Sequence, residues 1–240
     1  IIRFIRFKIM YDPKVEPTTN NAIKINLNGV KKISKERILL ELYKILDLKN
    51  FLNLNKNTEL KEIFILVFPE FENVRRLERL NKICDYTQVN RNLLLATLLI
   101  DDKETHEYFG HKYNISNNIK NDLNSFANNL KLINKNKEFF NKDLEKNIYL
   151  HDKNYLISLN ILNFVINSKL KFEDFTETLK KILRSKTHRF TINGKYLMEN
   201  GMQQGSSIGK VLKEIEGEWI ENNFQITKER IKEIILSHSS

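Results

Sequence analysis

The sequence has few means of cross-linking or sharply turning its chain. Cys84 is the only cysteine among 240 residues, which excludes an internal disulfide and a cysteine-based zinc cluster. Three prolines and seven glycines leave long stretches unbroken, and the apolar periodicity of those stretches predicts helices. No Asp-x-Asp pair occurs, so the carboxylate spacing of polymerase-type metal chemistry is lacking. The longest apolar run, Leu93 to Ile100, falls far short of the ~20 residues of a membrane span. No membrane partner is expected, and the expected location is the cytoplasm.

What is present is enough for a folded, basic protein. A hydrophobic fraction of 41% can build a core. Lys and Arg number 40 against 30 Asp and Glu, a net charge of +10, which suits a polyanion, with nucleic acid ahead of a membrane surface. The richness in Asn, Lys and Ile is spread over the whole chain and reads as base composition of the coding sequence.

No initiator Met precedes Ile1-Ile2-Arg3-Phe4-Ile5-Arg6-Phe7, and the stretch has helical periodicity from its first residue. It reads as the end of a helix running to about Tyr11, in the back part of a longer protein. Arg3 and Arg6, three apart, share a helical face and present planar forks suited to phosphate or carboxylate. Asp12-Pro13 and Pro17 mark a turn, and a helix from Thr18 or Thr19 to Leu27 is expected to end at Asn28-Gly29. Ser34 is placed to cap the next helix, with Glu36 in its first turn and Ile33 and Ile38 as a staple. Ile226 to Ile231 repeats that pattern.

Further along, Val74, Leu77, Leu80 and Ile83 form an apolar stripe, with Arg75, Arg76, Arg79 and Lys82 on the other side. Leu93 to Leu99 is apolar all round and predicts the most buried helix. Ser116 caps a helix that buries Ile119, Leu123, Phe126 and Leu130. Helices over about 137–149, 153–167 and 172–184 follow. Residues 185–194 are polar and basic and read as a linker, and Ser206 or Ser207 caps the helix that carries Trp219.

Several motifs invite a chemical reading and fail it on spacing. Gly205 to Lys210 has only three residues between its glycines, and Val211 stands where a phosphate loop needs Ser or Thr. His106 and His111 are five apart, so their imidazoles diverge by about 140° around a helix. They read as exposed residues at a helix end. Asp101 and Asp102 are neighbours and do not face each other. Cys84 reads as a small core residue. The remaining signal is basic: Arg3, Arg6 and Lys8; Lys31, Lys32, Lys35 and Arg37; Arg75, Arg76, Arg79 and Lys82; and Arg184 to Arg189.

Arg3-Phe4-Ile5-Arg6-Phe7 resembles the end of the neck helix in class II tRNA nucleotidyltransferases, the CCA-adding enzymes and bacterial poly(A) polymerases. In that family a Glu-Asp-x-x-Arg-x-x-Arg motif precedes an aromatic and a second basic-aromatic pair. Arg3 matches the motif's last Arg, and its other members fall before Ile1. Ser34-Lys35-Glu36-Arg37-Ile38 with Leu42 resembles the next motif. Asn193-Gly194-Lys195-Tyr196-Leu197, then Gly201, Gly205, Ile208-Gly209-Lys210-Val211-Leu212 and Trp219, resemble the C-terminal signature. Gln204 and Ser206 stand where that signature usually carries prolines.

The resemblance implies an all-α, elongated array of helices: a neck over 1–50, a body over 51–185 and a tail over 186–240. It implies a tRNA partner and a catalytic head of the same polypeptide upstream. Mg2+ and CTP or ATP would belong to the full enzyme, with no cofactor or metal and no catalytic residue in this chain. Arg3, Arg6, Ser34, Glu36 and Arg37 would support the nucleotide pocket. Lys31, Lys32, Lys35, Arg75, Arg76 and Arg79 would face RNA. The chain alone would be inactive. Poly(A) addition and a helical RNA-binding module without an enzymatic parent are the alternatives.

Overall fold

A computed structural model describes residues 1–11, 17–84, 89–205 and 207–238, with backbone alone for Pro17, Asn20 and Lys31. The expected turn at Asp12-Pro13 and the expected cap Ser206 lie outside the described residues. Every regular element among the described residues is helical. The α-helices are α1 (Ile2–Tyr11), α2 (Pro17–Ile25), α3 (Lys35–Leu46), α4 (Thr58–Val67), α5 (Arg76–Asn81), α6 (Arg91–Leu99) and α7 (Thr105–Lys112). They continue as α8 (Asn117–Lys135), α9 (Leu144–His151), α10 (Lys153–Ile166), α11 (Phe172–Arg184), α12 (Gly194–Glu199), α13 (Ser207–Glu221) and α14 (Lys228–Ser237). Short 3-10 segments occupy Leu27–Lys32, Lys49–Lys56 and Pro69–Arg75.

Side-chain caps start many of these helices. Ser34, Ser116 and Thr227 accept from the backbone N–H three residues on, as their positions predicted. Asn57, Asn90 and Asn193 do the same for α4, α6 and α12. Asparagine is therefore more than a compositional trace here. The α2 helix ends earlier than expected: the Asn26 side chain donates to the Ala22 carbonyl at 2.8 Å, satisfying a last-turn acceptor. Gly29 does not end α2. It sits inside the 3-10 segment, donating to the Asn26 carbonyl at 2.9 Å.

The chain divides into two compact units, residues 1–137 with 157–180 and residues 138–156 with 181–240. The first is built on a run of buried aromatic rings. Phe51, Phe68 and Phe71 contact Phe64 or one another at centroid separations of 5.1 to 6.1 Å, and Phe71 reaches Phe109 at 5.7 Å. Edge-to-face geometry lets such rings fill volume while aligning their quadrupoles. The α6 helix is buried all round from Leu93 to Leu99, and Val74, Leu77, Leu80 and Ile83 point inward together, both as the periodicity predicted.

The second unit has its own core of Leu197, Met202, Val211, Ile215, Ile231, Ile234 and Ile235. Residues 185–193 form no regular element, yet they are no loose linker. His188 stacks on Phe224 at 3.7 Å and pairs through Nε2 with Glu145 at 2.7 Å. Phe190 packs on Trp219 at 5.3 Å, and Tyr149 donates its hydroxyl to Glu216. Apolar side chains interleaved with the polar ones of this segment fasten it to α9 and α13.

Gly201 follows α12 with φ of +98°, the left-handed geometry that closes a helix. Its N–H reaches the Met198 carbonyl, and the Met202 N–H reaches Leu197, at 3.2 and 3.1 Å. Gly201→Ala is expected to destabilise the protein by about 1–2 kcal/mol, read as a lowered midpoint in thermal or urea unfolding. An unchanged midpoint would show that the loop adopts another conformation at no cost.

Candidate nucleic-acid interface

The α1 helix presents Ile2, Ile5 and Ile9 to the core, which leaves Arg3 and Arg6 on its flank. Both converge on Glu41 of α3, a carboxylate only 8% exposed. Arg6 Nη1 donates to Oε2 at 2.7 Å, Lys44 Nζ donates to Oε1 at 3.0 Å, and Arg3 Nε lies 3.9 Å from Oε1. Burial pushes the Glu41 carboxyl up. The hydrogen bond from Lys44 and the charges of Arg6, Lys44 and Arg3 outweigh it, so its pKa lies below the ordinary 4.5. The Arg pair thus has a partner inside the chain. The signal was present in the sequence: Glu41 stands between Ile38 and Ile45 on the apolar stripe of α3, where an acid must be paired.

The other residues of the predicted pocket support behave differently. Ser34 caps α3, accepting from the Arg37 N–H at 3.4 Å. Glu36 sits exposed in the first turn. The Arg37 side chain is exposed, one turn before Glu41 on the same helical face. Lys32 and Lys35 are exposed as well. The Lys31 side chain lies outside the described residues.

The Arg75, Arg76, Arg79 and Lys82 cluster separates in the fold. Arg75 and Lys82 are exposed. Arg76 turns inward and donates from Nη1 to the carbonyls of Thr97 and Ile100 at 2.9 and 2.7 Å, closing the C-terminus of α6. Burial lowers its pKa against the opposing charges of Asp101 and Asp102. Arg79 donates to the carbonyls of Phe164 and Leu170, each at 2.7 Å from Nη2, and its guanidinium lies 4.1 Å over the Phe164 ring. It closes the end of α10, where unpaired carbonyls favour a cation.

Two further expectations change. His106 is buried, with no hydrogen-bond partner for Nδ1, and burial lowers its pKa despite Glu107, Asp101 and Glu104 nearby. It faces the core because α7 packs against α6 and α8. His111 is exposed. Cys84 is half-buried, its thiol 3.1 Å from the Asn81 carbonyl. Asp101 serves its turn as expected, accepting from Thr105 N and Thr105 Oγ1 at 3.1 and 2.7 Å. Among the described residues no three His, Cys, Asp or Glu side chains are grouped to hold a metal ion, and no helix is long and apolar enough to cross a membrane.

With that geometry in hand, residues 14–74 match the family described as "Probable RNA and SrmB- binding site of polymerase A". The all-α fold is shared with solved structures of CCA-adding enzymes. A Thermotoga maritima CCA-adding enzyme complexed with tRNA aligns at 22% identity and TM-score 0.55, covering 98% of this chain and 60% of its own. A Bacillus stearothermophilus CCA-adding enzyme in complex with CTP aligns at 17% and 0.61, with coverage of 98% and 60%. A third CCA-adding enzyme with CTP aligns at 22% and 0.57, with coverage of 98% and 58%. The chain therefore spans about three-fifths of the length of these structures. No curated protein matches the sequence.

Two outcomes follow from the buried charges. Glu41→Gln removes the negative charge that compensates Arg6 and is expected to cost about 3 kcal/mol at neutral pH. Because the folded pKa is depressed, the carboxylate's contribution is complete above about pH 4.5 and is lost as pH falls through the lower folded value. Unfolding midpoints of the two proteins should therefore converge in acid, and a constant gap down to the acid limit would contradict the ion pairing. Arg79→Lys should cost about 1–3 kcal/mol, since an ammonium cannot span the same carbonyls. Full stability of Arg79→Lys in urea unfolding would remove that capping role.

Proposed function

We propose that this chain is the tRNA-holding, nucleotide-pocket-supporting portion of a template-independent tRNA nucleotidyltransferase that adds CCA to tRNA 3′ ends. The observation that carries the reading is an overlap. The stretch matching an RNA-binding family, residues 14–74, includes Lys32, Lys35 and Arg37, all turned to solvent. The fold shared with CCA-adding enzymes and the order of the motifs at both ends support it.

On this reading residues 1–50 are the neck, 51–185 the body and 186–240 the tail of a longer polypeptide with a catalytic head upstream. Arg3 and Arg6, held against Glu41, brace the neck beside the nucleotide pocket, with Ser34, Glu36 and Arg37 fixing the start of α3. Lys31, Lys32, Lys35 and Arg75 meet phosphates, and so does the exposed side chain of Arg37. The guanidiniums of Arg76 and Arg79 are spent on carbonyls, so their part in RNA binding is to hold the helices that carry those cations. Mg2+ and CTP or ATP belong to the whole enzyme, and nucleotidyl transfer is assigned to its head. The protein works in the cytoplasm, where tRNA is its partner.

This division has a physical logic. An A-form acceptor arm hides its sequence in a deep, narrow groove, so a protein serving every tRNA grips shape, phosphates and 2′-hydroxyls. Exposed cations on rigid helices do this. Poly(A) addition is the second reading, favoured by the family description at residues 14–74.

The isolated chain should bind tRNA with log affinity falling against log salt at a slope of about −4 to −5, corresponding to roughly six phosphates. Replacing Lys32, Lys35 and Arg37 together by Ala should lower that slope by about 2 and weaken binding at least tenfold. Incubated with tRNA lacking CCA, labelled CTP and magnesium, the chain should incorporate no label. Salt-independent binding or incorporation by this chain alone would overturn the reading.

A further inference from the structure

The α1 helix carries an exposed aromatic surface beside its ion pairs to Glu41. Arg3, Phe7, Met10 and Tyr11 fall on one stripe of the helix, at spacings of four, three and one. The stripe lies away from Ile2, Ile5 and Ile9, which are buried. Phe7 is 45% exposed and Tyr11 69%. Their rings lie nearly parallel, 17° apart with centroids 6.1 Å apart, and the Arg6 guanidinium sits 5.1 Å over the Phe7 ring.

Two adjacent aromatic rings left in water cost solvation free energy unless something covers them. The composition around them indicates what does. The α1 sequence has three cations, Arg3, Arg6 and Lys8, and no carboxylate. The nearby Glu41 is buried and hydrogen-bonded by Arg6 and Lys44, and Arg3 touches it only at 3.9 Å, so the stripe faces solvent as aromatic and positive. The Arg3 side chain is 66% exposed. Flat rings flanked by cations match an unpaired nucleotide, whose base stacks while its phosphate is neutralised.

We propose that Phe7 and Tyr11 form a stacking platform for unpaired bases of an RNA strand, with Arg3 beside it as the phosphate contact. This deepens the reading of the chain as an RNA holder and rests on it. The exposed cations Lys32, Lys35 and Arg37 grip duplex shape, whereas the platform takes single-stranded bases. Ring stacking tolerates any base, so the platform supplies affinity for an unpaired end and little sequence preference.

The test uses the full chain and two RNA hairpins, one blunt and one with a four-nucleotide 3′ extension carrying 2-aminopurine. The chain should bind the extended hairpin more tightly and quench the probe. Phe7→Ala with Tyr11→Ala should weaken binding to the extended hairpin about tenfold, abolish the quenching and leave the blunt hairpin unaffected. Its salt slope should not change, while Arg3→Ala should lower the slope by about 0.7. Tyr11→Trp should retain the quenching. Tyr11→Ser alone, at the more exposed position, serves as the variant least able to disturb folding and should lose part of the quenching.

Unchanged affinity and quenching both in Phe7→Ala with Tyr11→Ala and in Tyr11→Ser would overturn the platform and leave the RNA-holding reading intact. Failure of the unmodified chain to bind either hairpin would overturn both. Self-association of the unmodified chain in sedimentation that the double variant loses, with RNA affinity retained, would overturn the platform and assign the stripe to a contact between protein copies.

Discussion

The junction at Glu41 constrains the front of this molecule more than any other single contact. A carboxylate this far from water is tolerated only if opposite charges compensate its lost hydration. Here the compensation comes from two helices, Arg6 and Arg3 on α1 and Lys44 on α3 itself. Because the pairing needs Arg6 on one flank of α1, it fixes the helix's rotation. That rotation puts the three isoleucines into the core and the Phe7–Tyr11 stripe outside. One ion-pair cluster thereby sets which face of α1 is available to a partner.

A net charge of +10 is a weaker guide to binding than it first seems, because the fold consumes part of it. Arg76 and Arg79 donate to five carbonyls, those of Thr97 and Ile100 at the end of α6 and those of Phe164, Asn167 and Leu170 at and just beyond the end of α10. Arg91 pairs with Asp47 and lies 4.5 Å over the Tyr43 ring, tying α6 to the end of α3. Lys112 reaches the buried Glu70. The cations that remain in water, among them Lys32, Lys35, Arg37 and Arg75, are those a polyanion can reach without first breaking the protein's own contacts.

The second unit solves a different problem. Its segment 185–193 forms no helix or strand of its own, and side chains hold its middle. His188 between Phe224 and Glu145, and Phe190 against Trp219, supply aromatic contact and a polar anchor at alternate positions. Asn223 and Phe224 both adopt positive φ, a conformation costly for a bulky side chain. Phe224 stacks on His188 and meets Trp219 edge-to-face, contacts that offset that cost.

Local physics made much of the architecture readable in advance. Ser34, Ser116 and Thr227 cap the helices their positions indicate because a hydroxyl three residues before a free N–H needs no tertiary help. The stripe from Val74 to Ile83 and the all-round burial of Leu93 to Leu99 follow from periodicity alone. What periodicity does not encode is the partner of a charged residue. Arg76 and Arg79 look like a solvated face in sequence, but the carbonyls they serve lie 21 to 91 residues away. His106 looked exposed because nothing nearby in sequence covers it; α6 and α8 do. Sequence therefore determined the helical class and the starts of the helices that Ser34, Ser116 and Thr227 cap, but not every start: the helix expected from about 137 begins at Leu144. Tertiary structure decided which charges are spent inside the protein and which face outward, because that choice depends on distances between helix ends that no local pattern contains.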